Sequence, residues 1–154
     1  MEREWKTVAE LLGARRGTVF SVTPDTSVHA ALELLAAKDV GVVVVLEAGR
    51  PLGIFSERDL ARKVALESRS VRDTLVRAVM SPQVLYVTPA QTVVQCMALM
   101  QQDRVRHLVV VEGDSAIGVI SARDILEEVL TQERRFIKSL EAERLVMTTY
   151  TGTY

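Results

Sequence analysis

The chain has a single cysteine, Cys96, so no internal disulfide can form, and without a second cysteine or a histidine cluster no metal-ligand spacing is present. Its counterpart in the repeat described below is Ala31, which makes a small core residue the expected role of Cys96. A net charge of −1 provides no general attraction to nucleic acid or a membrane surface. No stretch of 18 consecutive apolar residues occurs, and the first ten residues lack the apolar run of a signal peptide. A cytoplasmic, soluble protein is therefore expected, with neither nucleic acid nor membrane as partner. Walker and Rossmann glycine patterns are missing too, as is any Ser-His-Asp arrangement beyond chance.

Against these absences stands an internal repeat. GIFSERD, from Gly53 to Asp59, returns as GVISARD, from Gly118 to Asp124, 65 positions later. Residues 19–60 align with 84–125 without a gap, with identities that include Val19/Val84, Thr23/Thr88, Pro24/Pro89, Val40/Val105, Ser56/Ser121, Arg58/Arg123 and Asp59/Asp124. With 154 residues and 48% hydrophobic content, the two copies suit one pseudo-symmetric domain, since neither half alone buries its apolar face. Any site is then expected twice.

The same elements are expected in both copies. A strand at 19–22 is stopped by Thr23-Pro24, and a helix follows with Val28, Ala31, Leu32 and Leu35 as its buried stripe. Residues 40–46 are too short and too β-branched for a helix and predict a strand buried on both faces. A turn at Gly49-Arg50-Pro51 leads to a strand at 52–55 and to a helix running from the signature toward Leu66. The second copy places strands at 84–87, 105–111 and 116–120, with helices at 93–102 and from Ala122. Outside the repeats, Trp5, Val8, Ala9 and Leu12 predict a short helix closed by Gly13, and SVRD at Ser70 to Asp73 a capping box before another. A charged helix carrying Phe136, Leu140 and Met147 is expected beyond Leu130 as a packing or dimer-contact element, with residues 148–154 frayed. The chain thus divides into an N-terminal segment 1–17, repeats 18–66 and 83–130, a linker 67–82 and a C-terminal helix and tail 131–154.

The signature has its own chemistry. Ser56 and Asp59, like Ser121 and Asp124, can act as helix N-cap and N3 residue. Unpaired N–H groups at that end favour an anion, and Arg58 and Arg123 add positive charge. A carboxylate beside an anion site suits sugar hydroxyls, as in dinucleotide-binding folds. Phosphate with ribose indicates a nucleotide, while Gly53 and Gly118 would let a flat ring approach the strand. The plainer reading of one signature is a well-capped helix; its recurrence at a fixed interval favours a site.

These signatures, the Thr-Pro after the first strand and the order of elements resemble a tandem pair of CBS domains, a Bateman module, across roughly residues 18–130. The segments SERDLARKV, CMALM and RVRHLVVVE are similar to small bacterial stand-alone CBS signal-transduction proteins and plant redox-regulating CBS proteins. The resemblance implies an α/β fold of the α+β kind, two β-α-β-β-α repeats, with adenosyl ligands in two clefts. It implies ribose contacts from Asp59 and Asp124, and Ser56, Arg58, Ser121 and Arg123 toward phosphate. Adenine would lie against Val19, Phe20, Ser21, Val42, Val43 and Val44 in one half, and Val84, Leu85, Tyr86, His107, Leu108 and Val109 in the other. The ligand implied is AMP, ADP, ATP or NAD(H), with S-adenosylmethionine worth testing, and thioredoxin-like proteins are implied partners only through the plant likeness.

The halves differ in charge. Arg62 and Lys63 align with Glu127 and Glu128, while Arg104, Arg106 and His107 align with Asp39, Gly41 and Val42. The clefts are therefore expected to be unequal, with the Asp59 side favouring phosphate and Arg104, Arg106 and His107 restoring positive charge to the other. A capping carboxylate makes a poor general base, so a non-enzymatic, ligand-sensing regulatory module acting on an unidentified protein is expected. The alternative is a CBS-fold protein-interaction scaffold with empty or vestigial clefts. The stripe in the first repeat and its counterpart at Val93, Met97 and Met100 predict a homodimer.

Overall fold

The protein, in a computed structural model that describes residues 4–151, forms two three-stranded sheets, one per repeat. A short helix α1 (Val8–Leu12) precedes the first repeat, which contains β1 (Ser21–Val22), α2 (Val28–Lys38), β2 (Val42–Glu47) and β3 (Arg50–Ser56). Its signature turn α3 (Glu57–Asp59) continues as a π-helical segment, Leu60–Ala65. The linker carries α4 (Val76–Val79), and the second repeat follows with β4 (Tyr86–Val87), α5 (Val93–Asp103), β5 (His107–Glu112), β6 (Ser115–Ser121) and α6 (Ala122–Thr151).

Duplication is retained down to register. β1 runs parallel to β2 with Ser21 opposite Val44, and β4 parallel to β5 with Tyr86 opposite Val109. Each central strand then pairs antiparallel with the next, with an irregularity at Val45/Leu46 and again at Val110/Val111. β-Branched residues favour these strands, and alternation sends Val43 and Val45 into the first core, with Val44 equally buried on the opposite face. Burial of each such side chain is worth about 1.5–3 kcal/mol. Ser27 caps α2 by accepting from the Ala30 N–H (3.1 Å), and Thr92 with Gln95 forms a reciprocal capping box on α5.

The short helices interlock the repeats. α1 lies before the first repeat yet buries Val8 and Leu12 in the second core, around Cys96, Leu108 and Ile120. Its Val8 N–H donates to the Gln91 carbonyl (2.7 Å) and its Ala9 N–H to the Pro89 carbonyl (3.0 Å). α4, which precedes the second repeat, contributes Val76 and Val79 to the first core. There the Arg77 N–H donates to the carbonyl of Pro24, the counterpart of Pro89 (2.9 Å). Proline halts each strand and leaves a carbonyl for the incoming helix.

Several expectations shift. α1 starts at Val8, because Thr7 caps it by accepting from the Glu10 N–H, and this leaves Trp5 outside the helix. Ser70 closes a turn, accepting from the Asp73 N–H (3.3 Å), whereas α4 begins only after Leu75, without a side-chain cap. The hairpin turn falls at Ala48-Gly49, both with positive φ, and Arg50 already pairs in β3. Beyond Leu130 no new helix starts, since α6 is continuous, and it passes the expected fraying point at Thr148. Thr148 and Thr149 fold their hydroxyls back onto the Arg144 and Leu145 carbonyls (2.8 and 2.9 Å), which satisfies them within the helix. Residues 152–154 lie outside the described residues.

Candidate functional site

Each signature closes a capping box. The Ser56 N–H and hydroxyl donate to one Asp59 oxygen (3.0 and 3.1 Å), and the Asp59 N–H donates back to Ser56 Oγ (3.3 Å). Ser121 and Asp124 repeat this at 2.8, 3.0 and 3.1 Å. The plainer reading is thus geometrically present, but it engages one oxygen of each carboxylate. The second oxygens differ. Asp59 Oδ1 accepts from Ser81 Oγ (2.8 Å) and Lys63 Nζ (3.0 Å), and its side chain is only 6% exposed. Asp124 Oδ1 has Arg15 at 3.6 Å and its side chain is 22% exposed.

Two cavities beside these carboxylates are built from both repeats. One, of about 660 Å³, sets Ser121, Arg123 and Asp124 against Val19, Phe20, Val40 and Val42 of the first repeat. The other, of about 380 Å³, sets Ser56, Arg58 and Asp59 against Arg104, Val105, Arg106 and His107 of the second. Both volumes suit small ligands, for which about 300–1,000 Å³ is usual.

The CBS-domain family model matches residues 8–66 and 76–131. The chain belongs to the CBS-domain family. A CBS protein of Burkholderia ambifaria MC40-6, assigned to signal transduction, has 40% identity and a TM-score of 0.77 over 82% of this chain and 95% of its own. The mitochondrial CBS domain-containing protein CBSX3 of Arabidopsis thaliana is 32% identical over 78% of this chain and 61% of its own length, so the chain spans about three fifths of that relative. The CBS domain pair of protein MJ0100, whose structure holds 5′-methylthioadenosine and S-adenosyl-L-methionine, has 16% identity and a TM-score of 0.69 over 80% of this chain and 95% of its own, a likeness of fold.

Within this CBS pair, the strand starts and the signatures exchange partners. Arg104 and Arg106 line the Asp59 cleft and not the Asp124 cleft, contrary to the expectation that they would restore positive charge to the latter. Asp39, the counterpart of Arg104, lines the Asp124 cleft instead. Both residues end helices in the left-handed conformation, φ 51° and 53°, which aims the chain back toward the cleft mouths.

Other candidate residues lie elsewhere. Ser21, Val43, Val44, Val84, Leu85, Tyr86, Leu108 and Val109 do not line either cleft. Val43 and Leu108 pack inward in their cores, and Tyr86 donates its hydroxyl to the Pro51 carbonyl (3.1 Å). Arg62 is exposed and outside both linings, while Lys63 serves Asp59 from behind the cleft. Glu127 and Glu128 line neither of these two clefts but a separate cavity of about 350 Å³ that also takes in Arg15 and Asp124. Glu127 lies 3.5 Å from Arg123, and the buried Glu128 pairs with Lys6 at 3.1 Å and accepts from Gln132.

The space beside the signature glycines holds protein rather than a ring. A Cβ on Gly53 would fall 2.6 Å from the Ser81 carbonyl oxygen, and one on Gly118 would fall 2.8 Å from a Leu12 methyl. Ser81 exchanges two backbone hydrogen bonds with Ile54 (2.8 and 3.0 Å), so the linker occupies that edge. Sequence reasoning missed Arg15 and Ser81, which precede the repeats. Their signal lay in position, because each sits just ahead of a repeat's first strand.

His107 lines both cavities. Burial pushes its imidazole below the ordinary value of 6.5, Asp124 draws it partly back and Arg106 lowers it further. The other histidine, His29, lies outside both clefts, with Nδ1 3.0 Å from Glu33. Burial likewise pushes the Cys96 thiol up to about 11.

Proposed function

We propose that this CBS pair is a regulatory module that binds an adenosyl nucleotide, AMP, ADP, ATP or NAD(H), at the Asp124 cleft and passes its occupancy to a partner protein. One observation carries the reading. Asp124, whose second oxygen has only Arg15 at 3.6 Å beside it, lines a cavity walled by Val19, Phe20, Val42 and Val119. Apolar walls take a flat base, and a carboxylate accepts from vicinal hydroxyls. The adenosyl ligands of the MJ0100 pair support the same class.

Calorimetric titration and thermal shift with the four nucleotides test this. Ligand at a hundredfold excess over Kd raises stability by about 2.7 kcal/mol, and Asp124→Ala weakens binding by about 1.5 kcal/mol or more. Unchanged isotherms in Asp124→Ala overturn the assignment.

The module is further proposed to act as a cytoplasmic homodimer, though not through the stripes expected from sequence. Val28, Ala31, Leu35, Val93 and Met100 are consumed by their own cores, and Leu32 and Met97 pack against them. Among the exposed apolar residues are Leu126, Leu130, Ile137 and Leu140. At 100° per residue they share one side of α6, a stripe suited to a two-fold partner. None of the helices among the described residues is long and apolar enough to cross a membrane.

A further inference from the structure

We infer that the two clefts act as one trough for a single nucleotide with two or more phosphates, its nucleoside at Asp124 and its phosphate chain crossing into the Asp59 cleft. The inference rests on the nucleotide reading above and names the ligand class and stoichiometry. Its first support is continuity, since Gly41 and His107 line both cavities. Gly41 has no side chain at that crossing, and the nearest atom to a Cβ placed there is a Glu57 oxygen at 3.8 Å.

The second support is that Asp59 is already engaged. Ser56, Ser81 and Lys63 together surround both of its oxygens. Ribose hydroxyls could bind there only by displacing Ser81, whose part-buried hydroxyl would lose its carboxylate acceptor, or Lys63, which also donates to the Met80 carbonyl (3.4 Å) and Ser81 Oγ (3.3 Å). A second nucleoside therefore lacks the anchor that Asp124 supplies to the first.

Charge is the third support. Arg58, Arg104 and Arg106 all line the smaller cleft and form no salt bridge among the described residues, whereas the charge of Asp59 is met by Lys63. Glu57 is the remaining carboxylate in that lining. In the larger cleft Asp39 and Asp124 offset Arg15 and Arg123. Phosphate oxygens gain charge-assisted hydrogen bonds on the arginine side and little on the other.

The test is calorimetry on the full chain with AMP, ATP and inorganic triphosphate. One ATP per chain is expected, bound about tenfold more tightly than AMP, the difference that one arginine–phosphate contact supplies. Arg104→Gly removes a contact at a left-handed position that glycine adopts freely, so folding is retained. ATP affinity should fall about tenfold and AMP affinity by less than about twofold. Triphosphate should compete with ATP yet bind alongside AMP, which also separates a tethered phosphate chain from an independent anion. Two ATP per chain, or equal losses for AMP and ATP in Arg104→Gly, overturn the single trough while leaving the nucleotide site standing. Undiminished ATP binding in Asp124→Ala overturns Asp124 as the nucleoside site, and the trough with it, whereas no binding of either AMP or ATP to the parent chain overturns the nucleotide reading itself.

Discussion

Asp39 and Arg104 occupy the same place in their repeats, the left-handed residue that ends the first helix, and they line opposite clefts with opposite charge. A duplication that began symmetric has become electrostatically polar. The exchange of strand starts between repeats makes the difference larger, since Arg104 joins Arg58 rather than Arg123. The inequality expected between the clefts is thus carried by a different set of charges, Arg104 and Arg106 beside Asp59 and Asp39 beside Asp124.

The signature glycines should respond unequally to alanine. At Gly53 the new methyl meets a backbone carbonyl that is itself bonded to β3, so Gly53→Ala should cost about 1–3 kcal/mol. At Gly118 the methyl meets the flexible end of Leu12, and Gly118→Ala should cost about 1 kcal/mol or less, one shifted rotamer. Urea unfolding of both variants measures the difference; equal costs would mean that the linker yields as readily as a side chain.

Stability should depend on pH through His107. Its pKa in the folded state lies below the 6.5 of the free side chain, so the unfolded chain binds the extra proton more readily. The contribution is complete above pH 6.5 and is lost as pH falls through the depressed folded value. Urea midpoints between neutral pH and about pH 5 should therefore decline, with a smaller slope in His107→Gln. An unchanged slope in that variant would assign the decline to other groups.

Dimerisation should depend on α6. Ile137 and Leu140 are 51% and 49% exposed, so Ile137→Glu with Leu140→Glu should leave the fold intact and turn a dimer into a monomer. Light scattering at micromolar protein decides this. A monomeric parent chain, or a variant that remains dimeric, would exclude this face.

Repeat, strand order and signatures were determined by the sequence alone. Their causes are local: β-branched runs form strands, Thr-Pro halts them, and a serine three residues before an aspartate caps a turn. Asp124 could be singled out on those grounds, as could Asp59. What separates the two carboxylates is tertiary. Ser81 reaches Asp59 from the linker and Arg15 reaches Asp124 from the N-terminal segment, 22 and 109 positions away. The helix stripes that suggested a dimer were real amphipathic stripes, but periodicity cannot say which apolar face a core consumes. Nor could it show α1 closing the second core while α4 closes the first. That exchange follows from shape, because each sheet leaves one side of its core uncovered and burial rewards whichever helix the chain delivers there. The sequence by itself set two half-sites with the same signature and unequal charge; the packing of each repeat against the other's leading segment decided which charges meet at which cleft, and made one a nucleoside cleft candidate and the other an arginine-lined neighbour.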